Sequence, residues 1–169
     1  MPPAFNIPFV LSVVGAFVTS SVVAYIYVWP PVRAMPRYDA LRLLAAFHAF
    51  RFLGMNFLVA GFVSPELSPD FASKVGWGDL IAAVLALVAM AALSWRWSVA
   101  IPIVWIFNIW GTLDLLNAYY TGAQIGNPGL FGAGIYIPAL YVPLLLVSHV
   151  LIFMLLLRAR SAEEVLAGR

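Results

Sequence analysis

Five apolar stretches, joined by short connections, constrain this chain of 169 residues more than any other feature. A helix needs about 20 mostly apolar residues to cross the hydrocarbon core of a bilayer. The stretches cover residues 5–29, 41–63, 76–94, 98–120 and 131–157. None alternates between apolar and polar side chains, as the strands of a transmembrane β-barrel do. The sequence therefore predicts an all-α, polytopic membrane helix bundle with five transmembrane helices, in a single integral membrane domain over residues 1–169.

The composition excludes several kinds of chemistry. Hydrophobic residues make up 64% of the chain and charged residues only 9%, which excludes an ordinary soluble globule. The chain has no cysteine, so disulfides, iron–sulfur clusters and thiol chemistry are excluded. Its one lysine, Lys74, lies in a connection, which excludes a retinal Schiff base within the bundle. No run of basic residues suggests nucleic-acid binding, and no metalloprotease or serine-hydrolase motif is present.

Basic residues are unevenly distributed between the connections. Seven arginines follow the first, third and fifth stretches, whereas only Lys74 follows the second or the fourth. Cytoplasmic loops of membrane proteins carry the excess of Lys and Arg. We therefore expect the N-terminus outside, the C-terminus in the cytoplasm, and a multi-pass location in the inner membrane of a cell. The seven arginines are Arg33, Arg37, Arg42, Arg96, Arg158, Arg160 and Arg169.

The first stretch carries small side chains at every fourth position, namely Ser12, Ala16, Ser20 and Ala24. Such a stripe lets another helix approach closely. One interpretation is packing within the chain. The other is association with a second copy in a homodimer or with a larger membrane complex, in which the chain would be a structural or assembly subunit. The lipid bilayer is the partner that the composition itself requires.

Ionisable side chains within apolar stretches are costly and indicate function by default. In the second stretch, His48, Arg51, Phe52 and Asn56 fall on one face of an α-helix, so this face is expected to turn inward. At about 1.5 Å of rise per residue, Arg51 lies near the bilayer midplane and needs a partner.

Two acidic residues lie in later stretches. Asp114 is the expected partner of Arg51, because the Cβ bonds of its outward-running helix tilt toward that arginine. Asp79 lies on the oppositely directed third helix, leans away, and is expected at the outer interface. If such residues only hold helices together, each hydrogen bond contributes about 0.6 kcal/mol.

Together these residues predict a pocket between the second, fourth and fifth helices that binds a small apolar or amphipathic ligand of lipid or isoprenoid type. Arg51 would anchor an anionic or carbonyl group. An enzyme with this pocket would isomerise its ligand, with His48 and Asp114 as proton donor and acceptor, and the sequence leaves binding and catalysis both open. No metal site is predicted. The expected ligand-binding residues are Arg51, Phe52, Asn56, Trp105, Asn108, Trp110, Asn117 and His149.

His48 and His149, the two histidines of the chain, lie at similar depth in different stretches. Two such imidazoles are the minimum for holding one b-type haem, so a haem-binding electron carrier is an alternative function. The other interpretations are hydrogen bonding in the core and acid–base catalysis. Apart from this haem, the sequence requires no cofactor.

The connection before the last stretch, residues 121–138, holds five glycines and no charge. It is predicted to form either a tight turn at the interface or a lid over an outward-facing cavity. Pro138 and Pro143 are expected to bend the helix that follows, because proline removes a backbone donor and displaces the carbonyl one turn earlier.

Three sequence blocks carry a resemblance to known proteins. AFHAFRFLG at 46–54, FNIWGTLDLLNAYYTG at 107–122 and VPLLLVSHVLIF at 142–153 resemble small, uncharacterised bacterial inner-membrane proteins, and this resemblance implies no activity. More loosely, the chain resembles the sterol-isomerase and sigma-2-receptor class. That resemblance implies four or five helices around a polar cavity with intramembrane histidine and two acidic residues, for which Asp114 and Asp79 are the candidates.

Overall fold

The computed structural model describes residues 6–158, which are mostly helical and contain no strand. Residue 5, where the first span was expected to begin, lies outside the described residues, as do Arg160 and Arg169. Four of the described helices are long and apolar enough to cross a membrane. These are α1 (Ile7–Ala34), α3 (Pro69–Ser94), α4 (Ala100–Ile125) and α5 (Ile137–Leu157). A membrane protein of helical-bundle type is thereby confirmed, and the predicted second span takes a different form.

That second stretch begins as α2 (Arg37–His48) and continues as a 3-10 helix over Ala49–Leu58. Runs of 3-10 helix longer than three or four residues are uncommon, because side chains three residues apart eclipse one another. Here this geometry places Arg51, Gly54 and Phe57 on one buried face. The chain becomes extended at Val59, before the predicted end of the span at residue 63.

Helix α3 begins at Pro69, seven residues before the predicted start of the third span. Ser68 caps it, since its hydroxyl accepts a hydrogen bond from the amide of Phe71 at 3.4 Å. The sequence prediction omitted these first seven residues, which carry Asp70 and Lys74. These two side chains form an ion pair at 2.7 Å across one helical turn, which supports the helix. The earlier start places Asp79 well inside α3.

Prolines shape both ends of the bundle. A π-helical turn at Ala24–Val28 within α1 precedes Pro30 and Pro31, and a second one at Ile137–Tyr141 begins α5. The second turn contains Pro138 and precedes Pro143, where the sequence predicted an interruption. Proline lacks an amide hydrogen and clashes with the preceding turn, which widens the helix locally.

Five arginines lie together at one end of the bundle, which we call the arginine end. Arg37 donates a hydrogen bond to the Leu156 carbonyl, and Arg158 donates one to the Arg33 carbonyl, both at 2.7 Å. These contacts satisfy carbonyl groups near helix C-termini. Arg42 pairs with Asp39, and Arg96 lies over the ring of Tyr38. Lys74 lies toward the other end of α3, so the predicted charge asymmetry is present among the described residues.

The small-residue stripe of α1 is used within the chain over half its length. Ser20 and Ala24 are buried in the bundle. Ala16 is half-buried, while Ser12 is exposed and donates a hydrogen bond to the Pro8 carbonyl of its own helix. The structure thus supports packing within the chain for the half of the stripe nearer the arginine end.

Candidate functional site

Arg51 lies at the centre of the bundle and is fully buried. Its Nη2 donates to Asp114 Oδ2 at 2.5 Å, so the predicted pairing is present. Its Nε donates to Asp79 Oδ1 at 2.7 Å, and its Nη1 donates to the Gly111 carbonyl at 3.1 Å. The expectation that Asp79 lies at the outer interface is wrong. Helix α3 extends past Asp79 to Pro69, and α2 begins at Arg37, four residues before the predicted start, so Arg51 lies about 6 Å deeper than expected and level with Asp79.

Three glycines make room for this ion cluster, which consists of Arg51, Asp79 and Asp114. A Cβ atom at Gly54 would overlap the Asp79 carboxylate, and one at Gly78 would overlap the Asp114 carboxylate. A Cβ at Gly111 would lie 2.7 Å from His149 Nε2 and 2.9 Å from Arg51 Nη1. The glycines come from three different helical segments. Their presence beside charged residues in apolar stretches is the sequence signal that could have identified the cluster.

The charges of the ion cluster do not balance. One guanidinium faces two carboxylates, and both bind the same Nη2 atom, Asp79 at 2.6 Å and Asp114 at 2.5 Å. The Arg51 side chain is fully buried and that of Asp79 is 7% exposed, whereas Asp114 is 17% exposed. If all three groups are ionised, the ion cluster carries one net negative charge within the bundle.

The two histidines lie next to the ion cluster and face each other, with ring centroids 4.1 Å apart. His149 Nδ1 lies 2.7 Å from Asn108 Oδ1, and the Asn108 amide nitrogen donates to the His149 carbonyl. These two bonds fix the Asn108 amide, so Nδ1 of His149 carries the proton. His48 Nε2 lies 3.1 Å from the Ser148 hydroxyl. His48 Nδ1 and His149 Nε2 are buried without a partner among residues 6–158.

This arrangement does not fit a b-type haem. Two axial imidazoles bind iron from opposite faces of a porphyrin, which must fit between them. The rings of His48 and His149 are instead in mutual contact, and both side chains are fully buried. Phe107 packs against both rings, which closes the remaining space.

A cavity of about 200 Å³ lies above the ion cluster, on the side away from the arginine end. Asp79 and Asp114 form its floor. Aromatic side chains from five segments form much of its wall, and one of these segments, the connection after α4, forms its roof. The aromatic residues are Phe9, Phe57, Phe71, Tyr119 and Phe131.

The roof is a short 3-10 helix, Pro128–Ile135, tied to the connection after Leu58. Ala133 donates a backbone hydrogen bond to the Phe62 carbonyl at 3.1 Å, and Ser64 donates one to the Leu130 carbonyl at 3.0 Å. Gly132 has a φ of +53°, and a Cβ there would overlap the Phe62 carbonyl oxygen. The sequence predicted either a tight turn or a lid for this glycine-rich segment. In the structure the segment lies over the cavity, which is the position expected of a lid.

Of the predicted site residues, the structure places Asp114 at the cavity. Arg51, His48, Asn108 and His149 instead form a buried polar layer beneath it. The remaining predicted residues were expected to line the pocket, but they do not line this cavity. Trp105 packs against Phe153, Asn56 is half-buried outside the cavity wall, and three residues are exposed on the outer surface of the bundle, namely Phe52, Trp110 and Asn117.

The rotation of the 3-10 helix explains the displacement of Phe52 and Asn56. Each residue turns about 120° in a 3-10 helix and about 100° in an α-helix. Residues 51, 54 and 57 therefore share the inner face, and Phe52 points away from it. Phe57, which the sequence prediction missed, takes the place beside the cavity.

Comparison with known proteins gives one match. A family model described as a domain of unknown function, DUF8737, matches residues 8–157. No curated protein and no solved structure matches the sequence.

Proposed function

We propose that this chain, a member of the DUF8737 family, which is a domain of unknown function, is a membrane protein that binds a small apolar or amphipathic ligand in the cavity above Arg51. The proposal rests on the geometry of the site alone. The observation that carries this proposal is an aromatic cavity with two carboxylates on its floor. Binding sites for small molecules combine an apolar wall with a few polar groups that orient the ligand.

The size and polarity of the cavity restrict the ligand. A cavity of about 150 Å³ holds benzene, so about 200 Å³ encloses a molecule only somewhat larger, or one end of a lipid or isoprenoid. Arg51 already donates to Asp79, Asp114 and the Gly111 carbonyl, and it does not reach the cavity. The proposed ligand therefore donates a hydrogen bond to a carboxylate, for example from a hydroxyl group. This contact takes the place of the expected contact between Arg51 and an anionic or carbonyl group of the ligand.

The proposal includes a fifth crossing by residues 37–58. At about 1.5 Å per residue in α2 and about 2.0 Å in the 3-10 helix, this segment is longer than the roughly 30 Å hydrocarbon core. It packs along α3, which brings Arg51 to Asp79. Five crossings, with the arginine end in the cytoplasm, place the N-terminus outside a cell inner membrane and the cavity toward the outer face.

An isomerase with this cavity would use the carboxylates for proton transfer. Asp114 and Asp79 face the cavity, whereas His48 is buried among Ser148, Phe107 and His149. The ligand cannot reach His48 without displacing these side chains, which supports Asp114 as the catalytic residue of such an isomerase.

The test is to fill the cavity. Ala118 is half-buried and lines it, whereas Leu116, on the same helix, is 49% exposed on the outer surface. We expect the detergent-purified chain to carry a small molecule in native mass spectrometry, or to gain thermal stability from the prenyl alcohol geraniol. Ala118→Phe should abolish both signals, and the control Leu116→Phe should keep them. Equal signals in the two variants would overturn the proposal.

A further inference from the structure

We propose that the ion cluster of Arg51, Asp79 and Asp114 binds one exchangeable proton, which the two carboxylates share. This inference does not depend on the proposed ligand, because it follows from the charges and contacts of the chain itself. The proton supplies the positive charge that the cluster lacks among its own side chains.

The first step of the argument is the closeness of the carboxylates. Asp79 Oδ1 and Asp114 Oδ2 both lie within hydrogen-bond distance of a single Arg51 nitrogen, Nη2. Two carboxylates that share one site repel each other, and one of them takes up a proton more readily than an isolated acid does. Inside a membrane the cost of the unbalanced charge rises further.

The second step is the absence of another counter-ion among residues 6–158. The titratable groups around the cluster are those of His48 on α2, Tyr119 on α4, and Tyr141 and His149 on α5. The N-terminal end of α1 and its capping residue contribute no titratable side chain to the cavity, since they line it with Asn6, Phe9 and Val10. Lys74 pairs with Asp70, and the other described arginines lie at the arginine end.

His149 is poorly placed to carry the missing charge itself. Its unprotonated Nε2 and Arg51 Nη1 both approach the space left by Gly111, so an imidazolium there would face a guanidinium. A hydrogen on Nε2 would have no acceptor among residues 6–158. Neutral histidines leave the two carboxylates as the groups that hold the proton.

The third step is access. Asp79 and Asp114 both line the cavity, and each has a second carboxylate oxygen that makes no hydrogen bond to residues 6–158. Asp79 is 95% buried, and its free Oδ2 lies against Gly54, so this carboxylate holds a polar atom inside the bundle with no hydrogen-bond partner among residues 6–158. Water in the cavity would exchange the proton with the surroundings.

Infrared spectroscopy of the full chain tests the proposal directly. A protonated carboxyl group has a C=O stretching band that an ionised carboxylate lacks, and a maltoside detergent contributes no overlapping carbonyl band. At neutral pH, where exposed acids are ionised, we expect a band equivalent to one carboxyl group per chain. Asp79→Asn and Asp114→Asn should each remove it completely, since either variant leaves one carboxylate balanced by Arg51.

Asp70 provides the matched control, because it lies on the same helix as Asp79, is 74% exposed and pairs with Lys74. The band should persist in Asp70→Asn. Carbon-13 labelling of the aspartate carboxyl groups should shift the band in the unaltered chain, which keeps the assignment testable if a variant does not fold. Absence of the band from the unaltered chain, or its persistence in either cluster variant, would overturn the proposal.

Discussion

The two halves of the bundle use the same helices differently. Toward the arginine end, small and branched side chains pack without exposure, as at Leu41, Ala86, Val104 and Ile152. Toward the other end, large aromatic rings surround a cavity. Small residues let helices approach closely. The large aromatic rings of the other half instead line a space of about 200 Å³ that they do not fill. The comparison teaches that close packing in one half holds the helices in place while the other half stays open.

The ion cluster separates these halves, and its loss should have the largest effect. Arg51→Met leaves the negative charge of Asp79 and Asp114 buried without its positive partner, and removing one member of a buried ion pair costs about 3–5 kcal/mol. We expect the variant to unfold at a much lower temperature in detergent. Adding Asp79→Asn and Asp114→Asn should restore most of the stability, since no unbalanced charge then remains. Failure of this rescue would show that Arg51 acts through packing and not through charge.

Overpacking should distinguish the two halves at intermediate magnitude. Ala86 is fully buried in the closely packed half, so Ala86→Leu should cost about 1–3 kcal/mol of unfolding free energy. Ala118→Leu places the same extra atoms into the cavity and should change stability by less than about 0.5 kcal/mol. Thermal unfolding of both variants, followed by tryptophan fluorescence, measures the difference. Equal losses would mean that the cavity half is as tightly packed as the other.

The most local predicted effect concerns the roof. Gly132→Ala introduces a Cβ at φ +53° and ψ −132°, a backbone conformation that costs about 1–3 kcal/mol for residues other than glycine, and this Cβ would overlap the Phe62 carbonyl. We expect faster hydrogen exchange at Ala133 and Ser64, whose amides join the roof to its neighbour, with little change in the closely packed half. Gly15→Ala, where a Cβ meets nothing within 4 Å, is the control. Uniformly faster exchange would show that the roof is not a separate unit.

Much of the fold followed from hydropathy, because a lipid environment requires helices and leaves few alternatives. The pairing of Arg51 with Asp114 also followed, since the direction of the Cβ bonds favoured it. Asp79 was missed for a specific reason. The predicted third span began at residue 76, which left Asp79 near its outer end, and the predicted second span began at residue 41, which placed Arg51 about 6 Å too shallow.

The cavity wall was harder to predict. Phe9, Phe57, Phe71 and Phe131 are far apart in the sequence, and each is an ordinary apolar residue of its stretch. Only the packing of four segments brings them together. The predicted wall residues Phe52 and Trp110 were chosen for α-helical or polar patterns, and they are 49% and 44% exposed.

The unusual geometry of residues 49–58 extends the reach of this segment along its own axis. A 3-10 helix rises about 2.0 Å per residue and an α-helix about 1.5 Å, so Ala49–Leu58 is about 5 Å longer than the same ten residues would be as an α-helix. In an α-helix, the side chains of Arg51 and Phe57 would point about 120° apart, and one of them would leave the interior. The 3-10 geometry thus lets a single segment supply both the cation of the ion cluster and an aromatic ring of the cavity wall.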